Sequence, residues 1–262
     1  MRRRLDAELV RRGLVPSRAR AVEVIDAGRV LVGGAPAATA SRQVDAAEAI
    51  VVVEGGDQYV SRGGHKLAAG LDAFAIDVRD RVCADVGAST GGFTDCLLQR
   101  GARSVFAIDV GRGQFAWLLR NDPRVTLMER TNVRELGAGA IDEVSLLVAD
   151  LSFISLRTVA PNLCALAAPD AEFVLLVKPQ FEVGRARLGR GGIVRDPAVH
   201  AAVLGEVIAG LDEADLGVQH LVPSPLRGAQ GNIEFLAYAR RGRAAVTAAA
   251  IEDAVRHAQD AA

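Results

Sequence analysis

The stretch Asp85-Val-Gly-Ala-Ser-Thr-Gly-Gly-Phe-Thr94 decides the fold of this chain. It follows a short apolar run and leads directly into a segment with helical periodicity. Glycines at such a strand-to-helix turn let the backbone approach a ligand and aim the N–H groups of the helix towards it. The next predicted strand ends at Asp109, where a carboxylate can accept hydrogen bonds from a ribose diol. These features predict a ligand-binding turn at the carboxyl edge of a parallel sheet.

The spacing of the glycines distinguishes two kinds of nucleotide site. Gly91 and Gly92 begin four residues after Gly87, so the stretch lacks the G-x-G-x-x-G spacing of a nicotinamide site. The pattern D-x-G-x-x-x-G-G-F resembles the S-adenosylmethionine loop of class I methyltransferases. A nicotinamide-dependent oxidoreductase and a tight turn without a ligand are the alternatives.

Apolar strands alternate with helices from residue 81 onward, which is typical of a doubly wound parallel α/β sheet. The predicted strands are residues 82–87, 104–109, 125–128, 144–150, 172–178 and 216–222. A last strand, 232–239, follows a Pro/Gly-rich stretch and is expected to be a hairpin partner. A terminal helix, 244–258, is expected to close the domain.

The first 58 residues form a separate predicted unit. Apolar periodicity and turn residues indicate two helices, the first ending at Gly13 and the second capped by Ser17 and ending at Gly28. Two strands, 30–32 and 50–53, follow, with a Gly-Gly turn after the first. Residues 1–42 carry nine arginines and four acids, hence a charge of +5, against −1 for the whole chain. This asymmetry indicates a phosphate-binding module.

Composition excludes several classes of protein. Three cysteines, Cys83, Cys96 and Cys164, lack the spacing of a disulfide framework or a zinc site, so no metal is expected. The basic start Met1-Arg-Arg-Arg is followed by charged residues, and no run approaches the ~18 apolar residues of a membrane span. We therefore expect a cytoplasmic protein that does not enter the membrane.

Lysine occurs at only two positions, Lys66 and Lys178, among 31 basic residues. Arginine can replace lysine as an exposed cation, but a guanidinium cannot replace an amine that must lose its proton. Both lysines are therefore candidates for chemistry. The alternative is that an arginine-biased composition left two lysines by chance.

Polar residues follow the ends of other predicted strands. Asp150 ends the fourth strand and Lys178 the fifth. Because ligands in open parallel sheets bind at the carboxyl ends of strands, both should face the same crevice as Gly87 and Asp109. An acid and an amine on neighbouring strands can hydrogen-bond there, and the alternative is a structural ion pair at the sheet rim.

Glu234 is predicted on the same face of the last strand as Asn232. A buried glutamate paired with a lysine would hold the amine in position, whereas a solvated acid is the plainer interpretation. His65, beside Lys66, is expected to pack or hydrogen-bond rather than to catalyse.

Eight motifs in this order closely resemble the TlyA family of ribosomal-RNA 2′-O-methyltransferases, whose members are often labelled hemolysins. They are Ser61-Arg-Gly-Gly-His-Lys66-Leu, Asp85-Val-Gly-Ala-Ser-Thr-Gly-Gly-Phe-Thr94, Asp109-Val-Gly-Arg-Gly-Gln114, Asn121-Asp-Pro-Arg124, Glu129-Arg-Thr-Asn132, Asp150-Leu-Ser-Phe-Ile-Ser155, Val177-Lys-Pro-Gln-Phe-Glu-Val-Gly184 and Gly231-Asn-Ile-Glu234. The match spans essentially the whole chain. It implies an α/β, Rossmann-like class I methyltransferase fold with a small N-terminal α+β RNA-binding domain that carries the αL motif.

The resemblance also implies domain bounds and site residues. Residues 1–58 resemble the RNA-binding domain of ribosomal small-subunit protein four, 59–80 link to the catalytic domain, and 81–262 resemble the FtsJ type. The implied catalytic tetrad is Lys66, Asp150, Lys178 and Glu234. The implied S-adenosylmethionine ligands are Asp85, Gly87, Ala88, Ser89, Gly91, Gly92, Phe93, Asp109, Val110, Asn132 and Asp150. The candidate RNA-binding residues are Arg2, Arg3, Arg4, Arg11, Arg18, Arg20 and Arg42.

The expected activity is S-adenosylmethionine-dependent 2′-O-methylation of ribosomal RNA, on a cytidine, with ribosomal RNA or ribosomal subunits as partners. Lys178 would accept or guide the hydroxyl proton, Asp150 would orient Lys178, and Glu234 would anchor Lys66. The arginine-rich segment 184–192 is expected to close over RNA, with a solvated loop as the alternative. Two other functions stay open: a hemolysin-like membrane-active protein and a non-catalytic ribosome assembly factor. The target nucleotide, the ribosomal subunit and the oligomeric state are not predicted.

Overall fold

The computed structural model describes residues 2–26, 30–37, 39–45, 47–52, 58–184, 187–189, 191–228 and 231–260. The chain forms two compact units, Met1–Gly56 and Asp57–Ala262. Several positions used in the sequence analysis lie outside the described residues. They are Gly28, Arg185, Arg190 and residues 53–57.

The N-terminal unit combines two helices with short antiparallel strands. Its elements are β1 Arg3–Arg4, α1 Leu5–Arg11, α2 Arg18–Asp26, β2 Val30–Val32, β3 Ala35–Pro36, β4 Gln43–Val44 and β5 Ile50–Val52. Strands β3, β2 and β5 form one sheet, and β1 pairs with β4. Ser17 Oγ accepts a hydrogen bond from the backbone N–H of Arg20 at 3.2 Å, as predicted for a helix cap. Leu5, Leu9 and Val30 are fully buried in the core of this unit.

The second unit is built on a seven-stranded sheet. Its strands are β6 Val82–Val86, β7 Ser104–Ile108, β8 Val125–Met128, β9 Val144–Ala149, β10 Ala167–Val177, β11 Leu216–Pro223 and β12 Phe235–Arg241. Its helices are α3 Arg62–Ala73, α4 Gly92–Gln99, α5 Trp117–Arg120, α6 Leu156–Leu166, α7 Pro179–Glu182, α8 Pro197–Glu213 and α9 Ala248–Asp260. A 3-10 turn covers Val133–Glu135.

The strand order is β11-β12-β10-β9-β6-β7-β8. Strands β10, β9, β6, β7 and β8 are parallel, and β12 runs antiparallel between β10 and β11. Helices α3 and α4 contribute to the apolar core on one face, and α6, α8 and α9 contribute to the core on the other. The predicted α/β fold with a parallel sheet is confirmed, and so is the pairing of the last strand as a hairpin partner.

Three predicted bounds were wrong: β10 begins at Ala167 instead of 172, and the last strand and the terminal helix both begin later than predicted. Asn232 accepts a hydrogen bond from the N–H of Val194 at 3.1 Å and donates to the carbonyl of Gly192 at 3.0 Å. It stays in the preceding loop, so β12 begins only at Phe235 and Glu234 is not on the strand. The terminal helix begins at Ala248 instead of 244, because Thr247 caps it: Thr247 Oγ1 accepts a hydrogen bond from the N–H of Ala250 at 3.3 Å.

His65 packs edge-on against Tyr59 with ring centroids 5.1 Å apart, in agreement with a packing role. All three cysteines are buried free thiols. Within the described ranges, no helix has the length and apolar character needed to cross a membrane. In the same part of the chain, no cluster of three or more His, Cys, Asp or Glu could hold a metal ion.

Candidate active site

Strand register brings Lys178 and Glu234 to the same place. The antiparallel pairing of β10 and β12 ends at Val177 and Phe235. Lys178 directly follows Val177 and Glu234 directly precedes Phe235, so both lie just beyond the same end of the two paired strands, although 56 positions separate them along the chain. Both lie at the carboxyl edge of the parallel strands, where ligands bind in open α/β sheets.

Asp150 reaches the same edge by parallel pairing. Ala149 is the last residue of β9 and is in register with Val86 of β6. The N–H of Asp150 donates to the carbonyl of Val86 at 3.0 Å, which places Asp150 beside Gly87. Gly87 has a φ of +88°, and an added Cβ would collide with the carbonyl of Asp150. Only glycine lets these two strand ends approach so closely.

Lys66 and Glu234 form a buried ion pair. Lys66 Nζ lies 2.5 Å from Glu234 Oε2, and the two side chains are 10% and 2% exposed. A side chain at Gly228 would collide with the Glu234 carboxylate, so the loop before β12 closes tightly over it. Such a pair is held firmly, because removing either partner leaves an uncompensated charge in a nonpolar environment.

Lys178 forms the second ion pair, which is slightly more accessible. Its Nζ lies 2.6 Å from Asp150 Oδ1, and the side chains are 12% and 22% exposed. The same Nζ donates to Ser152 Oγ at 3.0 Å and lies 5.8 Å from the centroid of the Phe181 ring. The amine is therefore oriented by three neighbours and remains in reach of a molecule in the adjoining cavity.

A cavity of about 390 Å³ opens beside Asp150. Asp109 is fixed at its wall, accepting hydrogen bonds from the N–H groups of Ser89 at 2.7 Å and Gly111 at 2.6 Å. Oδ1 also accepts a longer hydrogen bond from Gln114 Nε2 at 3.3 Å, whereas Oδ2 keeps a further lone pair with which Asp109 can accept a hydrogen bond from a ribose hydroxyl. Asn132 Oδ1 caps the following 3-10 turn at the same wall.

The structure separates the predicted cofactor residues into two groups. Those that line the cavity are Gly87, Ser89, Asp109, Val110, Asn132 and Asp150. Those that are buried and do not line it are Asp85, Ala88, Gly91, Gly92 and Phe93. The second group shapes the loop: Gly91 has a φ of +98° and caps α4, and Phe93 is part of the apolar core.

Asp85 is fully buried beneath the loop. Its Oδ2 accepts hydrogen bonds from Thr94 N at 2.8 Å and Thr94 Oγ1 at 2.6 Å, which ties the first strand to the start of α4. Burial raises the pKa of Asp85 to about 7, despite the opposing hydrogen bonds from Thr94. Asp85 therefore holds the glycine turn in place through Thr94 without lining the cavity itself.

Sequence reasoning missed several residues that line the cavity, among them Ser152, Phe153 and Arg134. Phe153 is 90% exposed and has a φ of +65°, which is rare for a bulky residue. Its ring lies 4.9 Å from the Phe181 ring. The motif Asp150-Leu-Ser-Phe-Ile-Ser155 was visible in the sequence, but nothing in it showed that the aromatic ring would face solvent.

In the N-terminal unit, two buried acids hold four arginines. Asp6 accepts hydrogen bonds from Arg4 at 3.0 Å and Arg18 at 2.8 Å, and these bonds hold the pKa of Asp6 well below its usual range. Glu8 likewise binds Arg11 and Arg12. Arg4, Arg11 and Arg18 keep about half or more of their side chains exposed, whereas Arg12 is 21% exposed and also donates to the carbonyls of Glu48 and Asp45.

The other predicted RNA-binding arginines differ in their contacts. Arg2 and Arg3 are exposed, Arg20 pairs with Glu23 at 2.9 Å, and Arg42 lies 3.8 Å from Glu48. In the segment 184–192, the described arginine is Arg187, whose guanidinium forms two hydrogen bonds to Glu206. The proposed closing of this segment over RNA would have to break that pair.

The fold is that of a class I methyltransferase, and the carboxyl edge of its sheet carries a glycine turn, a cavity with Asp109 at its wall and two lysine–carboxylate pairs. Residues 59–241 match the FtsJ-like methyltransferase family and residues 3–50 match the S4 domain. The chain is 50% identical over 260 residues to the Mycobacterium tuberculosis 16S/23S rRNA (cytidine-2′-O)-methyltransferase TlyA, covering 98% of this chain and 97% of that protein. This chain belongs to the TlyA family of FtsJ-like methyltransferases, as its motifs predicted.

Two further relatives are similar over most of their length. Hemolysin A from Brachyspira hyodysenteriae is 39% identical over 237 residues, which is 90% of this chain and 98% of that protein. A solved structure from Streptococcus thermophilus is 36% identical, with a TM-score of 0.80 and coverage of 99% of this chain and 96% of that one. The methyl donor of this family is S-adenosylmethionine, and the cavity with Asp109 and Gly87 fits it.

Proposed function

We propose that this chain transfers a methyl group from S-adenosylmethionine to the 2′-hydroxyl of a cytidine in ribosomal RNA, acting on ribosomal subunits in the cytoplasm. The observation that carries the proposal is the placement of the chain's two lysines. Lys66 and Lys178 both pair with carboxylates of the second unit, and Lys178 does so at the edge of the donor cavity. The name of the Mycobacterium tuberculosis relative supports the substrate.

Different residues of the cavity wall would contact different parts of the donor. Asp109 would hold the ribose of S-adenosylmethionine, and the backbone at Gly87 and Ser89 would lie against it. The chemistry that the donor supplies when bound is an electrophilic methyl group on a positively charged sulfur. The residues around Lys178 then have to orient a hydroxyl group and receive its proton.

Lys178 is the group that we propose to guide or accept the hydroxyl proton. Asp150 and Ser152 hold its Nζ from two directions, at 2.6 and 3.0 Å. Lys66, fixed by Glu234, adds a second cation that would orient the hydroxyl oxygen. Proton transfer by a positioned group is worth typically 10²–10⁴-fold in rate, and alignment of the two substrates supplies much of the remainder.

Exposed arginines near the same edge support an RNA substrate. In the described part of the catalytic unit, several of them form no ion pair with an acid. Among these are Arg62, Arg112, Arg130, Arg134 and Arg227. Their guanidinium groups are available to phosphates, which supply most of the affinity of proteins for nucleic acid. The exposed ring of Phe153 adds a surface on which an unstacked base can lie.

The N-terminal unit supports the same substrate. It matches the S4 domain over residues 3–50 and holds four arginines on two buried carboxylates. Fixed arginines lose little side-chain entropy when a phosphate binds, so this unit is suited to contacting the RNA backbone.

The proposal is tested by incubating the protein with methyl-labelled S-adenosylmethionine and separated ribosomal subunits from cells that lack the enzyme. We expect label in ribosomal RNA as a nuclease-resistant 2′-O-methylcytidine, and no label with Lys178→Ala. Cofactor binding without any methyl transfer to either subunit would contradict the proposal and favour an assembly factor. Leakage of liposomes at comparable protein concentrations would instead favour a membrane-active protein.

A further inference from the structure

The side chain of Glu182 joins the loops that follow β9 and β10. Glu182 is the last residue of α7, four residues after Lys178, and its side chain is 2% exposed. Its Oε2 accepts a hydrogen bond from Ser155 Oγ at 2.6 Å, and its Oε1 accepts one from the N–H of Leu156 at 2.7 Å. Both donors lie at the end of the loop that starts at Asp150. These contacts form the Glu182 clasp.

The position of the clasp requires a carboxylate. Leu156 is the first residue of α6, so the negative charge lies at the positive end of a helix dipole. The guanidinium of Arg157 donates to the backbone carbonyl of Glu182 at 3.1 Å, and its Nε lies 3.6 Å from Oε2. The Leu156 N–H and the Arg157 guanidinium can only donate, and Ser155 Oγ, which can also accept, already accepts from Arg157 N at 3.2 Å and Arg157 Nε at 3.3 Å. An amide in place of the carboxylate would turn two hydrogens towards one of them.

The loop held by the clasp is strained. Phe153 has a φ of +65°, in the left-handed region that a bulky side chain occupies only under strain. One end of the loop is fixed where the N–H of Asp150 donates to Val86 at 3.0 Å. The clasp fixes the other end. Because both ends are fixed, the strained conformation persists and Phe153 stays exposed at the cavity.

The same loop carries the neighbours of Lys178. Asp150 lies at its start and Ser152 in its middle, both within 3.0 Å of Lys178 Nζ. Lys178 itself is the N-cap residue of α7, whose last residue makes the clasp. A change at Glu182 would therefore move the amine and its two oxygen partners relative to each other.

We propose that Glu182 is a positioning residue for methyl transfer, which keeps the side chains of Asp150 and Ser152 within hydrogen-bonding distance of Lys178 Nζ. The inference rests on the proposed function, because it assigns Lys178 the proton. Glu182 touches neither the cavity nor a substrate. Its role is to keep the loops after β9 and β10 at one fixed separation.

The test compares Glu182→Gln with Glu172→Gln. Glu172 lies on β10, six residues before Lys178, and accepts hydrogen bonds from Arg81 and Tyr238, both at 2.5 Å. The Glu172→Gln variant therefore loses the same charge and a similar number of hydrogen bonds, but in the middle of β10 and away from the loop after β9. With saturating RNA and S-adenosylmethionine, we expect kcat to fall by about 10- to 100-fold in Glu182→Gln, because small misplacements of reacting groups have effects of that size. Glu172→Gln should keep the wild-type kcat, and both variants should keep the cofactor Kd.

A second measurement needs neither cofactor nor activity. Amide hydrogen exchange in the free protein should accelerate in peptides that span residues 150–158 of Glu182→Gln, and should stay at the wild-type rate in Glu172→Gln. Ser155→Ala removes one bond of the clasp together with the bond by which Ser155 Oγ caps α6, but keeps the bond from the Leu156 N–H to Glu182, so it should lie between wild type and Glu182→Gln in both measurements. It keeps the test valid if Glu182→Gln does not fold.

The outcomes separate the two proposals. A drop in thermal stability in Glu182→Gln with an unchanged kcat would overturn the positioning role and leave Glu182 as a purely structural residue. Unchanged exchange at 150–158 would overturn the clasp itself. An inactive wild-type protein whose exchange still depends on Glu182 would refute the proposed function and, with it, a role of the clasp in catalysis.

Discussion

Lys66 and Glu234 are separated by 168 positions in the chain and by 2.5 Å between Nζ and Oε2 in the structure. The pair joins α3 to the loop before β12. Glu234 directly precedes Phe235, which pairs with Val177, and Lys178 directly follows Val177. The Glu234 carboxylate therefore stabilises the Lys66 ammonium at the edge of the sheet where Lys178 also lies. Several consequences of this arrangement can be measured.

Breaking the buried pair should destabilise the fold. Glu234→Gln leaves the Lys66 ammonium buried without its counter-charge, which typically costs about 3–5 kcal/mol. The double variant Lys66→Met/Glu234→Gln removes both charges and should recover part of that loss. Urea unfolding of the single and double variants measures the difference. Equal losses in the single and double variants would show that the pair does not act as a unit.

Lys178→Arg should abolish turnover while cofactor affinity stays nearly intact. The guanidinium keeps the positive charge beside Asp150 but cannot lose a proton near neutral pH. Single-turnover methylation and calorimetric titration of S-adenosylmethionine measure the two quantities separately. Methylation close to the wild-type rate in this variant would rule out Lys178 as the group that accepts the proton.

Asp85 should make stability depend on pH. Burial raises its folded-state pKa from 3.8 to about 7, so between these values the folded state binds a proton that the unfolded state has released. The free energy of unfolding should therefore fall as pH rises from about 4 to 7, by a few kcal/mol at most, and level off above that range.

The control for this prediction is Asp85→Asn, which carries no titrating group and keeps an oxygen that can accept from Thr94. The difference in unfolding free energy between wild type and Asp85→Asn should shift in favour of the variant as pH rises. Parallel pH profiles of the two proteins would show that Asp85 does not titrate in this range.

Phe153→Ala should weaken RNA binding without affecting the cofactor. Stacking of a base on an exposed aromatic ring is worth about 1–3 kcal/mol, so KM for RNA should rise by roughly 5- to 150-fold. Phe153→Leu, which keeps an apolar side chain and lacks the flat ring, should lose most of the same affinity. A normal KM for RNA in both variants would remove Phe153 from the substrate-binding surface.

Sequence patterns predicted the sheet well, because each strand carries its own apolar run and each strand end its own turn residues. The strand over 125–128 agrees with the structure at both ends. The errors at Asn232 and Ala244 have a different origin. Asn232 is held by a hydrogen bond to Gly192, 40 positions away, which no local pattern shows. The start of the terminal helix is marked locally by Thr247, which caps it, and the prediction overlooked that residue.

The sequence by itself determined the alternation of strands and helices, the glycine turn, and the restriction of lysine to two positions. These are local properties, since they depend on neighbouring residues and on composition. Only the tertiary structure decided that Asp85, Gly92 and Phe93 are buried away from the cavity while Ser152 and Phe153 line it. It also decided that Arg187 binds Glu206 and that Glu182 clasps the loop after β9. Burial and pairing of this kind arise when distant segments pack together, so they depend on the arrangement of the whole sheet.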